Sequence, residues 1–343
     1  MKFILFCENP YAFGILAPIR AVLEEKKHSF LWYVTDKICS DFPYQDDAHT
    51  SSIADLDEFS SDAILVPGNE VPYNLRGLKV QIFHGLAGEK KGHFKIRHYF
   101  DLYLTQGPYF TNSFKKLSKK YKDFDVIETG WSKLDDYSKS LHEFDAEKEA
   151  LLKEYNAKKI VLYAPTFSPS LTSAPQLKNE IENLAQNPDY LILIKFHDLM
   201  ANDLIETYKS IADKYRNIQY IENRNILKFL LLSDLMISDT SSVVYEFLLL
   251  NKPVITFNTR SPKESWENSN TYKHLSERVT RNFELDPLAD KRAEIIANYH
   301  PYQDGKSSER MVDAIEVYIQ KNGVPESRKL SLFRKYKMRK MYR

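Results

Sequence analysis

The sequence predicts an α/β protein built as two Rossmann-like domains facing a cleft. Three observations carry this. Strand-like apolar runs alternate with helix-like segments almost throughout, a rhythm that makes parallel sheets covered on both faces. The rhythm runs twice, with a charged, helix-favouring stretch over 142–158 between the two series. At 343 residues the chain has room for two domains of ordinary size.

The first series opens on Phe3-Ile4-Leu5-Phe6-Cys7, which sets a strand at 2–7. Further strands are expected at 29–34, 63–66, 80–84 (Val80-Gln81-Ile82-Phe83), 102–105 and 125–129 (around Val126-Ile127), with helices at 13–26, 93–99 and 109–120. The second series has strands at 160–164 (Ile160-Val161-Leu162-Tyr163), 190–196 (Leu191-Ile192-Leu193-Ile194), 218–221, 235–238 (Leu235-Met236-Ile237) and 253–257. Its helices fall near 175–186, 201–215, 225–233, 242–250 and 305–321. The expected domains are 1–145 and 146–325, followed by a basic tail at 326–343.

Composition narrows the function. Apolar content of 43% and charged content of 28% are those of a globular chain, and a formal net charge of +1 gives no pull toward nucleic acid. No apolar run approaches the ~20 residues of a membrane span. The first apolar run passes straight into Glu8-Asn9-Pro10, too early for a signal peptide. Only Cys7 and Cys39 occur, without a CxxC motif, so neither a disulfide framework nor a metal site is expected and a cytosolic setting is. There is no GxGxxG and no GxxxxGK[ST]. Phosphates would have to be held by helix N-termini and side chains.

Ligands of open α/β sheets bind beyond the carboxyl ends of strands, so the polar residues there are the candidates. His84-Gly85 follows the fourth strand, where a turn brings backbone close to a ligand; a turn histidine without a role is the alternative. Gly130-Trp131-Ser132-Lys133-Leu134-Asp135 follows Val126-Ile127, either as a site or as a turn into the linker. Pro165 and Thr166 follow Tyr163-Ala164, and Pro165 holds its predecessor extended. Lys195 and His197, two apart, point to one side at a strand end, a pairing suited to a diphosphate unless Lys195 is only solvated. Asp239-Thr240-Ser241-Ser242 joins a strand to a helix, and reads equally as an anion seat and as a helix cap. Lastly, Asp304-Gly305-Lys306-Ser307-Ser308-Glu309-Arg310 opens an amphipathic helix, which Asp304 or Ser307 could simply cap. Lys306 and Arg310 oppose its dipole there unless an anion compensates.

In this order the segments resemble the CDP-glycerol glycerophosphotransferase family, the teichoic acid primases and polymerases. The family pattern HGT, GYPRND, YAPTWR, LHP, DYSS with KRPII, and DGKAS reads here as HGL (84–86), GWSKLD (130–135), YAPTFS (163–168), KFHD (195–198), DTSS (239–242) with NKPVITF (251–257), and DGKSSER (304–310). The resemblance covers about residues 80–320. Departures are Leu86 for the threonine, Lys133 and Ser168 for arginines, and Asp198 for the proline. Lys133 keeps the charge but not the bidentate fork.

The resemblance implies a GT-B type fold and transfer of glycerol phosphate, or a relative such as ribitol phosphate, from a CDP-activated donor to a hydroxyl of a lipid-linked or glycan acceptor, releasing CMP. It implies an N-terminal acceptor-side domain and a C-terminal donor domain. His84 is the expected base, and His197 the expected contact or acid at the leaving phosphate. Lys195, Asp239, Thr240, Ser241, Ser242, Lys306 and Ser307 are expected around the donor phosphates, with Gly85, Lys133, Asp135, Pro165 and Thr166 elsewhere in the cleft. No metal or other cofactor is expected, and no nucleic acid. The resemblance leaves two placements for the last helix, with the second domain as assigned above or returned to the first.

Residues 328–343 hold eight basic side chains and no acidic one. With a lipid-linked acceptor, this tail is expected to attach the protein to the anionic inner face of the cell membrane, at about 1 kcal/mol per basic residue. A disordered solubilising tail is the plain alternative, and a nucleic-acid patch a third. Two rival functions stand beside the main one: a GT-B nucleotide-sugar glycosyltransferase or sugar-nucleotide epimerase, and a non-enzymatic scaffold of the same fold.

Overall fold

The computed structural model describes residues 1–86, 88, 92–223, 225–259 and 265–342. The chain forms two compact units, one of residues 1–138 with 298–343 and one of residues 139–297.

The first unit is built on β1 (Lys2–Cys7), β2 (Ser29–Val34), β3 (His49–Thr50), β4 (Ala63–Val66), β5 (Leu78–Gln81), β6 (Leu102–Thr105) and β7 (Asp125–Glu128), in the spatial order β3-β2-β1-β4-β5-β6-β7. Every pairing is parallel. Strands buried on both faces need continuous apolar runs, and Phe3 to Cys7 and Ala63 to Val66 are almost entirely buried. The strand order reverses between β1 and β4, which makes their carboxyl ends the switch point.

The second unit contains β8 (Lys159–Tyr163), β9 (Tyr190–Ile194), β10 (Ile218–Tyr220), β11 (Leu235–Ser238), β12 (Val254–Phe257) and β13 (Glu267–Ser269), in the order β10-β9-β8-β11-β12-β13 and again all parallel. Its switch point lies between β8 and β11. Tyr163 pairs with Ile194 on one side and Ile237 on the other. This register brings the segments after 163, 194 and 238 to one edge of the sheet.

The expected α/β class and the double Rossmann-like rhythm are those of the structure. Two expected elements differ. The strand at 80–84 stops at Gln81, because Phe83 takes a left-handed backbone (φ 62°) that no strand accommodates. No helix forms over 93–99, where His98 is also left-handed (φ 64°). Helices Ile53–Phe59, Lys133–Lys139, Leu275–Leu285 and Ala289–Tyr299 add to those expected.

Residues 298–325, assigned from the sequence to the second domain, pack with the first unit. Helix Ser307–Asn322 buries Met311, Val312 and Ile315, and its Glu316 meets Lys26 (2.8 Å) and His28 (2.7 Å) of the first unit. The basic tail is also ordered on that unit. Arg328 is buried among His98 O, Asp101 and Asp123. Helix Leu332–Met341 buries Met338, and Tyr342 donates its hydroxyl to Glu8 (3.0 Å). Among the described residues no helix is long and apolar enough to cross a membrane.

Candidate active site

On the first unit the candidates gather after β4 and β5. His84 is exposed, and its Nδ1 lies 3.1 Å from the carbonyl oxygen of Pro67. A carbonyl only accepts, so this bond places the ring proton on Nδ1 and makes Nε2 the basic nitrogen. The turn that presents the ring is held from both sides. The Trp131 indole donates to Phe83 O (3.3 Å), and Gln106 donates to Gly85 O (3.2 Å). A Cβ built on Gly85 would meet no described atom within 4 Å, so packing among the described residues does not demand glycine there. Tyr11, just beyond β1, sets its ring 5.4 Å from that of His84. Glu8 precedes it at the switch point, and burial raises its carboxyl above the ordinary range. Sequence reasoning missed both; their signal was a polar run, Glu8-Asn9-Pro10-Tyr11, directly after the first strand.

The segment 130–135 supports this turn without forming an anion seat. Trp131 is buried, and the Lys133 ammonium lies 5.6 Å from its ring centroid. Asp135 is buried and accepts the backbone N–H groups of Ser307 (2.8 Å) and Ser308 (2.7 Å). The helix start expected to receive a donor phosphate is thus closed by the chain's own carboxylate, a natural occupant of a helix N-terminus. Ser307 is buried with it, and Gly130 is held to glycine: φ is 89°, and a Cβ there would lie 2.4 Å from Ser307 Oγ. The anion that offsets Arg310 is Asp304, at 2.7 Å. Lys306 remains exposed, 4.0 Å from Glu309. Ser307 and Asp135 are therefore joined to each other as structural partners.

On the second unit the register sets Pro165 and Thr166, Lys195 to His197, and Asp239 to Ser242 at one sheet edge. Asp239 is buried, with Oδ1 accepting from Thr166 N (2.8 Å) and Oδ2 from Ser173 N (2.9 Å) and Ser173 Oγ (3.0 Å). Burial outweighs these bonds and pushes its carboxyl up to about 6. A buried carboxylate already taken by backbone is not a phosphate ligand; Asp239 instead ties the loop after β8 to the turn after β11. Thr240, Ser241 and Ser242 are half-buried at that turn. Ser242, at the start of helix Val243–Leu249, makes no side-chain cap bond. Lys195 is buried, its Nζ 3.2 Å from Phe196 O.

His197 is exposed and its ring lies 4.6 Å from Phe167 of the loop that Asp239 anchors. Its Nδ1 accepts the backbone N–H of Leu199 (3.1 Å), which leaves the proton on Nε2. His197 is thus the tautomeric opposite of His84, an N–H donor at Nε2 where His84 is basic. Among the described residues no group of three or more His, Cys, Asp or Glu side chains could hold a metal ion.

The profile of the CDP-glycerol:poly(glycerophosphate) glycerophosphotransferase family matches residues 79–263, more than half of the chain. The chain belongs to that family. Its span runs from β5, ahead of His84, past the Asp239 turn. Among the curated relatives of this chain, the teichoic acid ribitol-phosphate polymerase TarL of Staphylococcus aureus is 28% identical over 276 residues, 68% of this chain and 46% of that protein. The teichoic acid glycerol-phosphate primase of Bacillus subtilis is 27% identical over 231 residues, 63% of this chain and 58% of that protein. The chain thus spans about half the length of the curated relatives it matches.

Among solved structures, the wall teichoic acid polymerase TagF superposes with a TM-score of 0.64 at 16% identity, over 93% of this chain and 89% of that one. The UDP-GlcNAc 2-epimerase from Neisseria meningitidis superposes with 0.66 at 16% identity, over 92% and 100%. These likenesses establish a GT-B type fold and nothing about which nucleotide this family member takes.

Proposed function

We propose that this chain transfers glycerol phosphate, or a related polyol phosphate such as ribitol phosphate, from a CDP-activated donor to a hydroxyl of a lipid-linked or glycan acceptor in cell-surface polymer synthesis, releasing CMP. Family membership supports the reaction class. The observation that carries the residue roles is the opposed tautomers of His84 and His197.

The reaction forms a bond between the acceptor oxygen and the phosphorus bearing the polyol, and breaks the bond from that phosphorus to the bridging oxygen of the diphosphate. The acceptor proton goes to His84 Nε2, the basic nitrogen. His197 Nε2–H donates to the departing CMP phosphate as negative charge builds there. Ser241 and Ser242 supply hydroxyl donors to the diphosphate, with Thr240 and Thr166 beside them and the Lys195 ammonium as the nearby positive charge. Asp239 acts on these groups through the loops that it ties together. The second unit is thereby given the donor and the first the acceptor. Lys133 and Gly85 belong to the acceptor side, and Lys306 to its exposed rim.

Membrane attachment is the second part of the proposal. Leu332, Phe333 and Tyr336 are 85%, 79% and 70% exposed on the last helix, beside Lys329, Arg339 and Lys340. Apolar and aromatic side chains flanked by basic ones suit a shallow seat on anionic lipid, at the cytoplasmic face where a lipid-linked acceptor would be met.

A thermal-shift screen tests the donor assignment, since a ligand that binds the native state raises the melting temperature. CDP, CMP and CDP-alditols are expected to stabilise the protein. A response to UDP alone would favour the nucleotide-sugar enzymes that share the fold.

A further inference from the structure

The geometry points to Gln81 as a positioning residue that fixes which nitrogen of His84 is basic; this rests on His84 being the base proposed above. Gln81 ends β5 and is 3% exposed. Its amide Nε2 donates to Gly68 O (2.6 Å) and lies 3.3 Å from Val66 O and 3.4 Å from Pro67 O. A buried amide is costly unless it is bonded, and this one is spent on the carbonyls of Val66, which ends β4, and of Pro67 and Gly68, which follow it.

The segment it holds contains the Pro67 oxygen that receives His84 Nδ1–H. Proline has no N–H of its own with which to fasten that stretch into the sheet. Gln81 supplies the missing donor from the neighbouring strand, three residues before the histidine it serves. The residue between them and the base, Phe83, is held left-handed (φ 62°), a strained conformation that persists only where its surroundings dictate it. Trp131 and Gln106 fasten the carbonyls on either side of His84, and Gln81 fastens the carbonyl opposite its Nδ1. With Pro67 O unfastened, the ring can carry its proton on Nε2 instead, and that form cannot take a proton from the acceptor hydroxyl.

The test compares wild type with Gln81→Met, which preserves the buried volume and removes the donor. Nitrogen NMR on the full-length, histidine-labelled protein reads the His84 tautomer, and turnover of CDP-glycerol is measured alongside CDP affinity. Wild type is expected to hold the His84 proton on Nδ1. The variant is expected to shift population to Nε2 and to lose about 10–100-fold in kcat, with CDP affinity unchanged. A wild-type tautomer and wild-type kcat in Q81M would overturn the proposal. An Nε2-protonated His84 in folded wild type would overturn it without any variant. His84→Gln separates the two levels: full turnover in that variant would refute His84 as base, while the tautomer shift in Q81M would still stand.

Discussion

The Asp135 carboxylate caps the helix that begins at Ser307, accepting its N–H at 2.8 Å and that of Ser308 at 2.7 Å. This one contact joins two motifs that lie far apart in sequence and decides what each does. Removing Asp135 leaves two buried N–H groups without an acceptor, at about 1–3 kcal/mol of stability. Asp135→Ala is therefore expected to lower the denaturant midpoint clearly and to leave CDP affinity close to wild type. Lost CDP binding at unchanged stability would return this helix start to the donor site.

Asp239 plays the matching part in the second unit, and its substitution should affect two readouts at once. In Asp239→Asn one acceptor oxygen becomes an amide that faces Thr166 N–H or Ser173 N–H as donor against donor. The expected loss is again about 1–3 kcal/mol. Because Phe167 sits against His197 on the same loop, CDP affinity should fall as well. Reduced stability with full CDP affinity would confine Asp239 to the fold.

Much of this was legible in the sequence. Most strands of both sheets follow from short apolar runs, but the edge strands β3 (His49–Thr50) and β13 (Glu267–Ser269) are polar and were not expected; the candidate positions follow from the rule that sites lie after strands. The roles of Asp135, Asp239 and Ser307 were not legible, since a carboxylate near a helix start reads the same whether it caps that helix, another one, or sits beside a ligand. Lys306 and Arg310 did announce that an anion was needed; only the fold reveals that Asp135 and Asp304 provide it. The tail misleads for a similar reason. Eight basic residues read as a membrane attachment or a disordered tail, yet Arg328 is buried against Asp101 and Asp123, which lie just ahead of two strands of the first sheet.

Acid should destabilise the protein through two histidines. Burial holds His93 and His300 down to about 4 from an ordinary 6.5, and His300 Nε2 accepts Trp131 N–H at 3.0 Å. Between pH 4 and 6.5 each binds fewer protons folded than unfolded, so stability rises with pH across that window and is lost as pH falls. Asp239, pushed up to about 6 from 3.8, works in the opposite sense over part of the range. His300→Asn keeps an acceptor and cannot titrate. Its unfolding free energy, measured in urea across that window, should depend less on pH than that of wild type. Equal slopes would contradict a buried neutral His300.

The C-terminal segment should separate into a structural and a surface part. Arg328→Ala removes the guanidinium from Asp101 and Asp123, while Asp123 keeps His98 at 2.6 Å. It should cost about 2–3 kcal/mol, below the value for a fully buried pair because Asp123 is partly exposed. Replacing Leu332, Phe333 and Tyr336 with serine should change stability by only about 0.5 kcal/mol, and should weaken binding to anionic vesicles. A full-length protein that ignores such vesicles at low salt would remove the membrane role.

The most direct test is the nucleotide released from a CDP-alditol. Incubated with CDP-glycerol or CDP-ribitol and a hydroxyl acceptor, the protein is expected to produce CMP in step with a phosphodiester product. His84→Ala should slow this by about 10²–10⁴-fold while CDP still binds. Release of CDP rather than CMP would mean that the polyol moves without its phosphate. That outcome, or turnover of UDP-sugars with none of either CDP-alditol, would contradict the account.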